Sequence, residues 1–232
     1  VVSPQAMKDD AAIRSAAMRE RILRFMIGII SLKYSIVSNK RCLPPDDKRK
    51  MHTFCEKPMA TTMSDAMKMA RIVKTYNTFY MVNWPITWNA GLQTVKRMLD
   101  EGVIGDLIEI KTRMGHTGPL GPGAKHKIAE TSEPMTEAEK CSTWWHQTAC
   151  GGGAMADYCC YGSIVSYWMA GAPASAVMGM RVNSMHELAD AEDNAAMLVR
   201  FPHCYAVLEG TWTTYDHTFK SPIVYGTKGA LV

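Results

Sequence analysis

Two short stretches of this chain hold residue types that could do chemistry. The first is Gly151-Gly152-Gly153-Ala154-Met155-Ala156-Asp157-Tyr158-Cys159-Cys160-Tyr161-Gly162. Three successive glycines let the backbone turn tightly and approach another surface closely. A helical pattern then runs from Ala154 to Ala170, with Gly171 and Pro173 as its stop. Asp157, Tyr161, Ile164, Val165 and Trp168 fall on one face of that helix. Four of them can pack, but a carboxylate in the first turn of a buried stripe needs a reason. Either the helix N-terminus and nearby donors satisfy it, or it works with Tyr161 in a site. The second stretch, Thr53-Phe54-Cys55-Glu56-Lys57-Pro58, reads as a strand ending in a charged pair, with Pro58 fixing the turn. A third group, Trp144-Trp145-His146, could line a pocket or simply pack under a loop.

The elements that must position these residues change style along the chain. Val1-Val2-Ser3-Pro4 reads as a strand end entering a turn, and a helical pattern covers Asp10 to Leu23. Residues 24–50 give no clear regular element. After the strand at 53–56, Ser64 is a plausible N-cap for a helix to Tyr76, whose inner face is Met69, Ala70, Val73 and Tyr76. Phe79 to Val82 reads as a strand buried on both faces. A helix from Ala90 to Glu101 packs through Leu92, Val95 and Leu99 and stops at Gly102. From Leu107 onward, Ile108, Ile110, Thr112 and Met114 alternate with Glu109, Lys111 and Arg113, a strand with one dry and one wet face.

A long loop, Gly115 to Cys150, precedes the glycine turn. Its prolines rule out a phosphate-cradling turn, and its acidic part, Glu130 to Glu139, reads as solvated surface. After the central helix come strands at Ala176–Val182, Asn194–Phe201, Tyr205–Trp212, Pro222–Tyr225 and Ala230–Val232. Alternating strands and helices followed by a run of strands predict an α/β part and then an α+β part on an open, mostly antiparallel sheet.

Composition removes several function classes. A net charge of +4, with basic residues scattered apart from Lys48, Arg49 and Lys50, gives no nucleic-acid stripe. The seven cysteines are odd in number and include no Cys-x-x-Cys pair, which argues against a disulfide framework or a zinc site and for a reducing, cytoplasmic setting. Adjacent Cys159 and Cys160 read as small core fillers. The longest apolar run, Phe25 to Ile30, is far too short for a membrane span.

Several motifs in order carry a family resemblance: Cys55-Glu56-Lys57-Pro58-Met59-Ala60, Gly102-Val103-Ile104-Gly105, Gly151-Gly152-Gly153 with Asp157 and Tyr161, Ala191-Glu192-Asp193-Asn194-Ala195, and Gly226-Thr227-Lys228-Gly229-Ala230-Leu231. Together they resemble the Gfo/Idh/MocA oxidoreductases, over residues 53–232. The resemblance implies a Rossmann-type domain that binds NAD or NADP, followed by an α+β substrate domain, and hydride transfer at a hydroxyl or keto carbon of a sugar, polyol or related small molecule. It implies that Glu56 and Lys57 lie beside the nicotinamide ribose, that Lys57 reaches the substrate hydroxyl, and that Asp157 lies in the substrate pocket. Tyr161 stands where the family most often has His. Lys57, Asp157 and Tyr161 are thus the implied catalytic set. Ser3 and Pro4 resemble the turn that approaches the nicotinamide, and Asn83-Trp84 falls at a pair that is often Asn-Arg.

The chemistry suits these residues, because a carbon giving up hydride must also lose its hydroxyl proton. A tyrosine can take that proton, but near ~10 an unperturbed phenol is a poor base, so Tyr161 needs the Lys57 cation beside it. Lys57 and Asp157 could instead form only a domain-bridging ion pair.

The sequence also departs from the family. No Gly-x-Gly-x-x-Gly follows a first strand, and no acidic ribose ligand is present. The expected domains are therefore a partial Rossmann domain over 1–84, with an atypical insertion or sequence error at 24–50, and a substrate and oligomerisation domain over 85–232 that stops within its sheet. The chain does not open on Met and is expected to be a fragment that alone binds dinucleotide poorly. The expected partners are a small sugar or polyol and a second copy through the open sheet, with no nucleic acid, membrane or metal. A non-catalytic sugar- or dinucleotide-sensing protein is the rival reading.

Overall fold

The computed structural model describes residues 52–118, 120, 135–214 and 221–232, all within one compact unit spanning 39–232. The expectations for Ser3, Pro4, the 10–23 helix and the 24–50 stretch lie outside the described residues.

Strand β1 (Thr53–Glu56) and strand β2 (Tyr80–Asn83) pair in parallel, with Thr53 opposite Tyr80 and Glu56 opposite Asn83. Parallel neighbours need a crossover, and helix α1 (Met63–Tyr76) supplies it. This helix starts earlier than Ser64 suggests: the Thr62 hydroxyl accepts the Asp65 N–H, so Thr62 is the cap and Ser64 sits inside the first turn. Met69 is buried and Val73 and Tyr76 half-buried, but Ala70 faces out. The burial expected on both faces of the second strand is also not seen. Its residues are half-buried and Phe79 is exposed, because β1 is its one paired neighbour among the described residues.

After a short turn of 3-10 helix at Pro85–Trp88, helix α2 (Ala90–Asp100) starts at Asn89, whose side chain accepts the Leu92 N–H. Leu92 is buried and Val95 and Leu99 pack beside it. The chain then enters β3 (Leu107–Gly115), an interior strand of a six-stranded sheet ordered β4-β5-β6-β3-β7-β8. The other strands are β4 (Ala176–Val182), β5 (Asn194–Arg200), β6 (Tyr205–Thr211), β7 (Ile223–Gly226) and β8 (Gly229–Leu231). Within this sheet the β3–β6 pair is parallel and the other described pairs are antiparallel. The alternation expected from Ile108 begins one pair later. A register shift between Leu107 and Glu109 turns Ile108 outward, while Ile110 and Thr112 are buried.

The expected acidic surface segment holds a short helix, α3 (Glu137–Cys141), with a capping box between Thr136 and Glu139. Short 3-10 turns at Trp144–His146 and Thr148–Cys150 lead to the glycine turn. The central helix is not uniformly α. A π turn (Met155–Cys159) precedes α4 (Cys160–Ala170). One face of the sheet, with Ile110, Ala206, Leu208 and Val224 fully buried, packs under Cys159, Val165 and Met169 of this helix. The other face of the β4–β5 edge carries Met178, Met180 and Leu198, all exposed.

Candidate active site

The site forms where the carboxyl ends of β1 and β2 meet the first turns of the central helix. Asp157 reaches that point because the glycine turn is pinned on two sides. The Gly153 N–H donates to the Trp145 carbonyl, and the Ala154 N–H donates to the Glu192 carbonyl. The Glu192 side chain then accepts the Met155 N–H at 2.9 Å, so a long-range carboxylate caps the start of the helix. Gly153 has φ +111°, and a Cβ there would lie 2.3 Å from Glu192 Oε1. The glycine therefore permits both the turn and the cap.

Lys57 follows β1 directly and crosses to the helix. Its ammonium donates to Asp157 Oδ1 at 2.5 Å and to the Asp157 carbonyl at 2.8 Å, across 100 residues of chain. Both side chains are largely buried, at 14% and 12% exposure, so this pair is shielded rather than a loose surface contact. The same ammonium lies 4.4 Å from the centre of the Tyr161 ring, within cation–π range. Trp84 meets Tyr161 edge to face at 6.2 Å, and Asn83 donates to Glu56 at 2.7 Å. The structure thus gathers Glu56, Lys57, Asn83, Trp84, Asp157 and Tyr161, six residues that the sequence places in three separate stretches.

The protonation states follow from these contacts. Burial works against the Lys57 charge, but the hydrogen bond and charge of Asp157 outweigh it and raise the lysine above its usual range. Lys57 is therefore a fixed cation. Tyr161 moves the other way from the expectation. Burial pushes its phenol up, and the nearby Lys57 cation, though it pulls downward, does not reverse this. Cys159 is buried and its thiol is pushed by burial to about 12. Cys160 differs from the core-filler expectation: it is half-buried beside the site, with its thiol pushed by burial to about 11.

A cavity of about 430 Å³ adjoins this cluster, lined by Ile86, Arg113, Met114, Gly115, Tyr158, Tyr161 and Ser221. Its volume suits a small organic ligand. Tyr158 was missed in the sequence, although its spacing of three from Tyr161 puts both on one side of a helix. Trp212 was missed as well, and its indole donates to Asp157 Oδ2 at 3.1 Å. Glu192 stood in a recognised motif without a role.

Trp144, Trp145 and His146 do not line this cavity. The two indoles stack at 3.7 Å, and their carbonyls back the glycine turn. His146 is buried, packing against Trp212 and His186 at 5.4 and 5.0 Å between ring centres. The Thr143 hydroxyl donates to the Lys140 carbonyl, and its oxygen lies 3.3 Å from His146 Nδ1. His146 Nε2 has no hydrogen-bond partner among the described residues. Burial, with the neighbouring His186, lowers the pKa of this imidazole. The unfolded state then binds its proton more readily than the folded state just below about pH 6.5. Stability should fall as pH drops through that window and be unaffected above it. Asp193, whose own burial is outweighed by donors from Ser184, Met185, Asn194 and His186, is lowered and acts only in a more acidic window. Urea midpoints at about pH 7.5 and about pH 5.5 should differ in the native chain and much less in His146→Phe. Equal slopes in both proteins would contradict this assignment.

Among the described residues no three His, Cys, Asp or Glu side chains are placed to hold a metal, and no helix is long and apolar enough to cross a membrane.

Comparison with known proteins bears on this cluster. Residues 92–232 match the GFO/IDH/MocA C-terminal domain, and residues 47–84 match the NAD-binding Rossmann fold of the same oxidoreductase family. The chain is 26% identical over 180 residues to a D-xylose 1-dehydrogenase [NADP(+)] of Haloarcula marismortui, covering 76% of this chain and 45% of that protein. It is 32% identical over 66 residues to the 2,7-anhydro-N-acetylneuraminate hydratase of Escherichia coli, covering 28% of this chain and 18% of the hydratase. The fold superimposes on the WlbA dehydrogenase of Bordetella pertussis, solved with NADH and UDP-GlcNAcA. The TM-score is 0.64 at 22% identity, over 78% of this chain and 48% of the other. The chain thus spans less than half the length of these relatives. With the C-terminal domain of one family matched over residues 92–232 and its Rossmann fold over residues 47–84, the chain belongs to the GFO/IDH/MocA oxidoreductase family.

Proposed function

We propose that the protein is an NAD(P)-dependent oxidoreductase acting on a hydroxyl or keto carbon of a sugar, polyol or related small molecule. The observation that carries this reading is the fixed Lys57 cation, clasped by Asp157 and lying over Tyr161, next to a cavity of small-ligand size. The cofactor side of the reading rests on chemistry that fits. Two parallel strands end side by side with an exposed Glu56 carboxylate held by Asn83, and ligands of open α/β sheets bind beyond such strand ends. When bound, NAD(P) supplies the hydride acceptor or donor.

The chain's own residues do the remaining work. Lys57 donates to the reacting oxygen and stabilises the negative charge that develops there. Asp157 keeps that ammonium charged and in place. Tyr161, with its raised pKa, acts as a neutral phenol. It takes the proton of the reacting hydroxyl as it gives its own to water in the adjoining cavity, and does not stand ready as a phenolate. Glu56, Asn83 and Trp84 form the cofactor side in this reading, and residues 85–232 form the substrate side.

The test is cofactor binding by nicotinamide fluorescence, followed by turnover on a panel of aldoses and polyols. Oxidation or reduction of any panel member supports the reading. Dinucleotide binding without turnover on any of them, unchanged in Lys57→Met, would count for a sensing role.

The reading extends to assembly. Met178, Met180 and Leu198 sit on one exposed face of the β4–β5 edge, and monomers rarely leave a patch of this kind uncovered. A second copy is the proposed cover. Light scattering should report a dimer or larger in the native chain and a shift towards monomer in Met180→Glu. A native monomer at micromolar concentration would refute this.

A further inference from the structure

We propose that Trp212 is the positioning residue of this site: its buried indole N–H holds Asp157 Oδ2, which leaves Oδ1 and the Asp157 carbonyl to clasp Lys57. The inference rests on reading Lys57 and Asp157 as the reactive pair.

The geometry leaves Asp157 little freedom. Its Oδ2 accepts from Trp212 Nε1 at 3.1 Å, while Oδ1 and the carbonyl accept from Lys57 at 2.5 and 2.8 Å. An indole is a donor only, and one that is 1% exposed must find an acceptor inside the protein. Asp157 is that acceptor. Without the indole, the carboxylate could rotate about its side chain and present either oxygen, or neither, to the lysine.

Trp212 can set an orientation because its own position is fixed from several sides. It follows β6 directly, and its backbone N–H donates to the Asp193 carbonyl at 2.7 Å. Asp193 is fully buried, and its carboxylate accepts from the Ser184 and Met185 N–H groups at 2.8 and 2.7 Å and from Asn194 at 2.9 Å. The His146 ring closes the edge of the indole at 5.4 Å. A rigid, packed ring therefore transmits the position of the sheet to a carboxylate on the helix, the arrangement by which supporting residues hold a reactive group within a fraction of an ångström. The Ala191-Glu192-Asp193-Asn194 segment serves the helix twice, through Glu192 at its first turn and through Asp193 under Trp212.

Competitive acetylation read by peptide mass spectrometry tests this without any substrate. Lys111, whose side chain is 48% exposed, serves as the internal standard. In Trp212→Phe, which keeps a ring but removes the donor, acetylation of Lys57 relative to Lys111 should rise about tenfold as the clasp loosens. An unchanged ratio in a folded variant would overturn the proposal. Should Trp212→Phe fail to fold, the indole N–H signal of Trp212 in the native chain decides. It should move upfield and exchange faster in Asp157→Ala but stay in place in Tyr161→Phe, and an unmoved signal in Asp157→Ala would equally overturn the proposal. On any substrate the native protein turns over, Trp212→Phe should lower kcat about tenfold or more with the KM for nicotinamide unchanged. Absence of native turnover would count against the oxidoreductase reading alone, and the lysine and indole readouts would still decide the role of Trp212.

Discussion

Lys57→Met should lower kcat/KM by about a thousandfold while the chain still folds. The size follows from two losses at one position. The reacting oxygen loses a cation that stabilises its developing charge, and Tyr161 loses the only group among its named neighbours that pulls its phenol towards ionisation. Methionine keeps most of the packing volume of the lysine stem. Asp157 would be left with Trp212 as its side-chain partner, and removing one partner of a charged hydrogen bond costs about 1.5–3 kcal/mol. Both effects are measurable in one preparation: steady-state kinetics for the first, urea unfolding for the second. A variant that kept more than about a tenth of native kcat/KM would remove Lys57 from the chemistry and leave it as a domain-bridging ion pair.

Gly152→Ala should produce a large loss of stability beside the site. A Cβ there would fall 2.1 Å from the Trp145 carbonyl oxygen and 2.6 Å from that of Trp144. Neither can step aside easily. The Trp145 carbonyl accepts from Gly153 and the Trp144 carbonyl from Gln147. Overpacking against held backbone costs about 3 kcal/mol, which for a chain of this length lowers Tm by about 6–12 °C. Gly171→Ala is the control. Gly171, unlike Gly152, has a positive φ, +65°, but nothing lies within 4 Å of its added Cβ, so only the cost of the left-handed backbone remains, about 1 kcal/mol. Differential scanning calorimetry of the two variants should separate them clearly. Equal Tm values would mean that the glycine turn is not pinned as described.

Much of the fold was legible in the sequence for simple physical reasons. The late strands declare themselves by alternation and turn residues, and their ends differ from the observed ones by about a residue. The helices at 63–76 and 90–100 follow from their apolar spacing. What failed was local and depended on partners far away. The outward turn of Ile108 comes from a register shift against β7, and the exposure of Phe79 depends on which strands lie beside β2. Neither is written in the residues themselves.

The site was legible by residue type but not by state. Lys57 and Asp157 meet in an ion pair, which the catalytic and the merely structural reading both allow, yet the phenol of Tyr161 is raised, because burial is a property of the whole packing and not of a neighbouring charge. The π turn at 155–159 was invisible to a search for α periodicity. Trp212, 55 residues from Asp157, read as no more than the end of a strand. Its role appears only when the sheet and helix are brought together.

The central claim is that this cluster forms the substrate side of a hydride-transfer site. Isotope transfer tests it most directly, with an aldose or polyol deuterated at its reacting carbon incubated with the protein and NAD or NADP and the nicotinamide then examined by mass spectrometry and NMR. The account predicts deuterium at the nicotinamide ring in the native protein and none above background in Lys57→Met. Bound dinucleotide with no deuterium transferred from any panel member, or transfer undiminished in Lys57→Met, would contradict it.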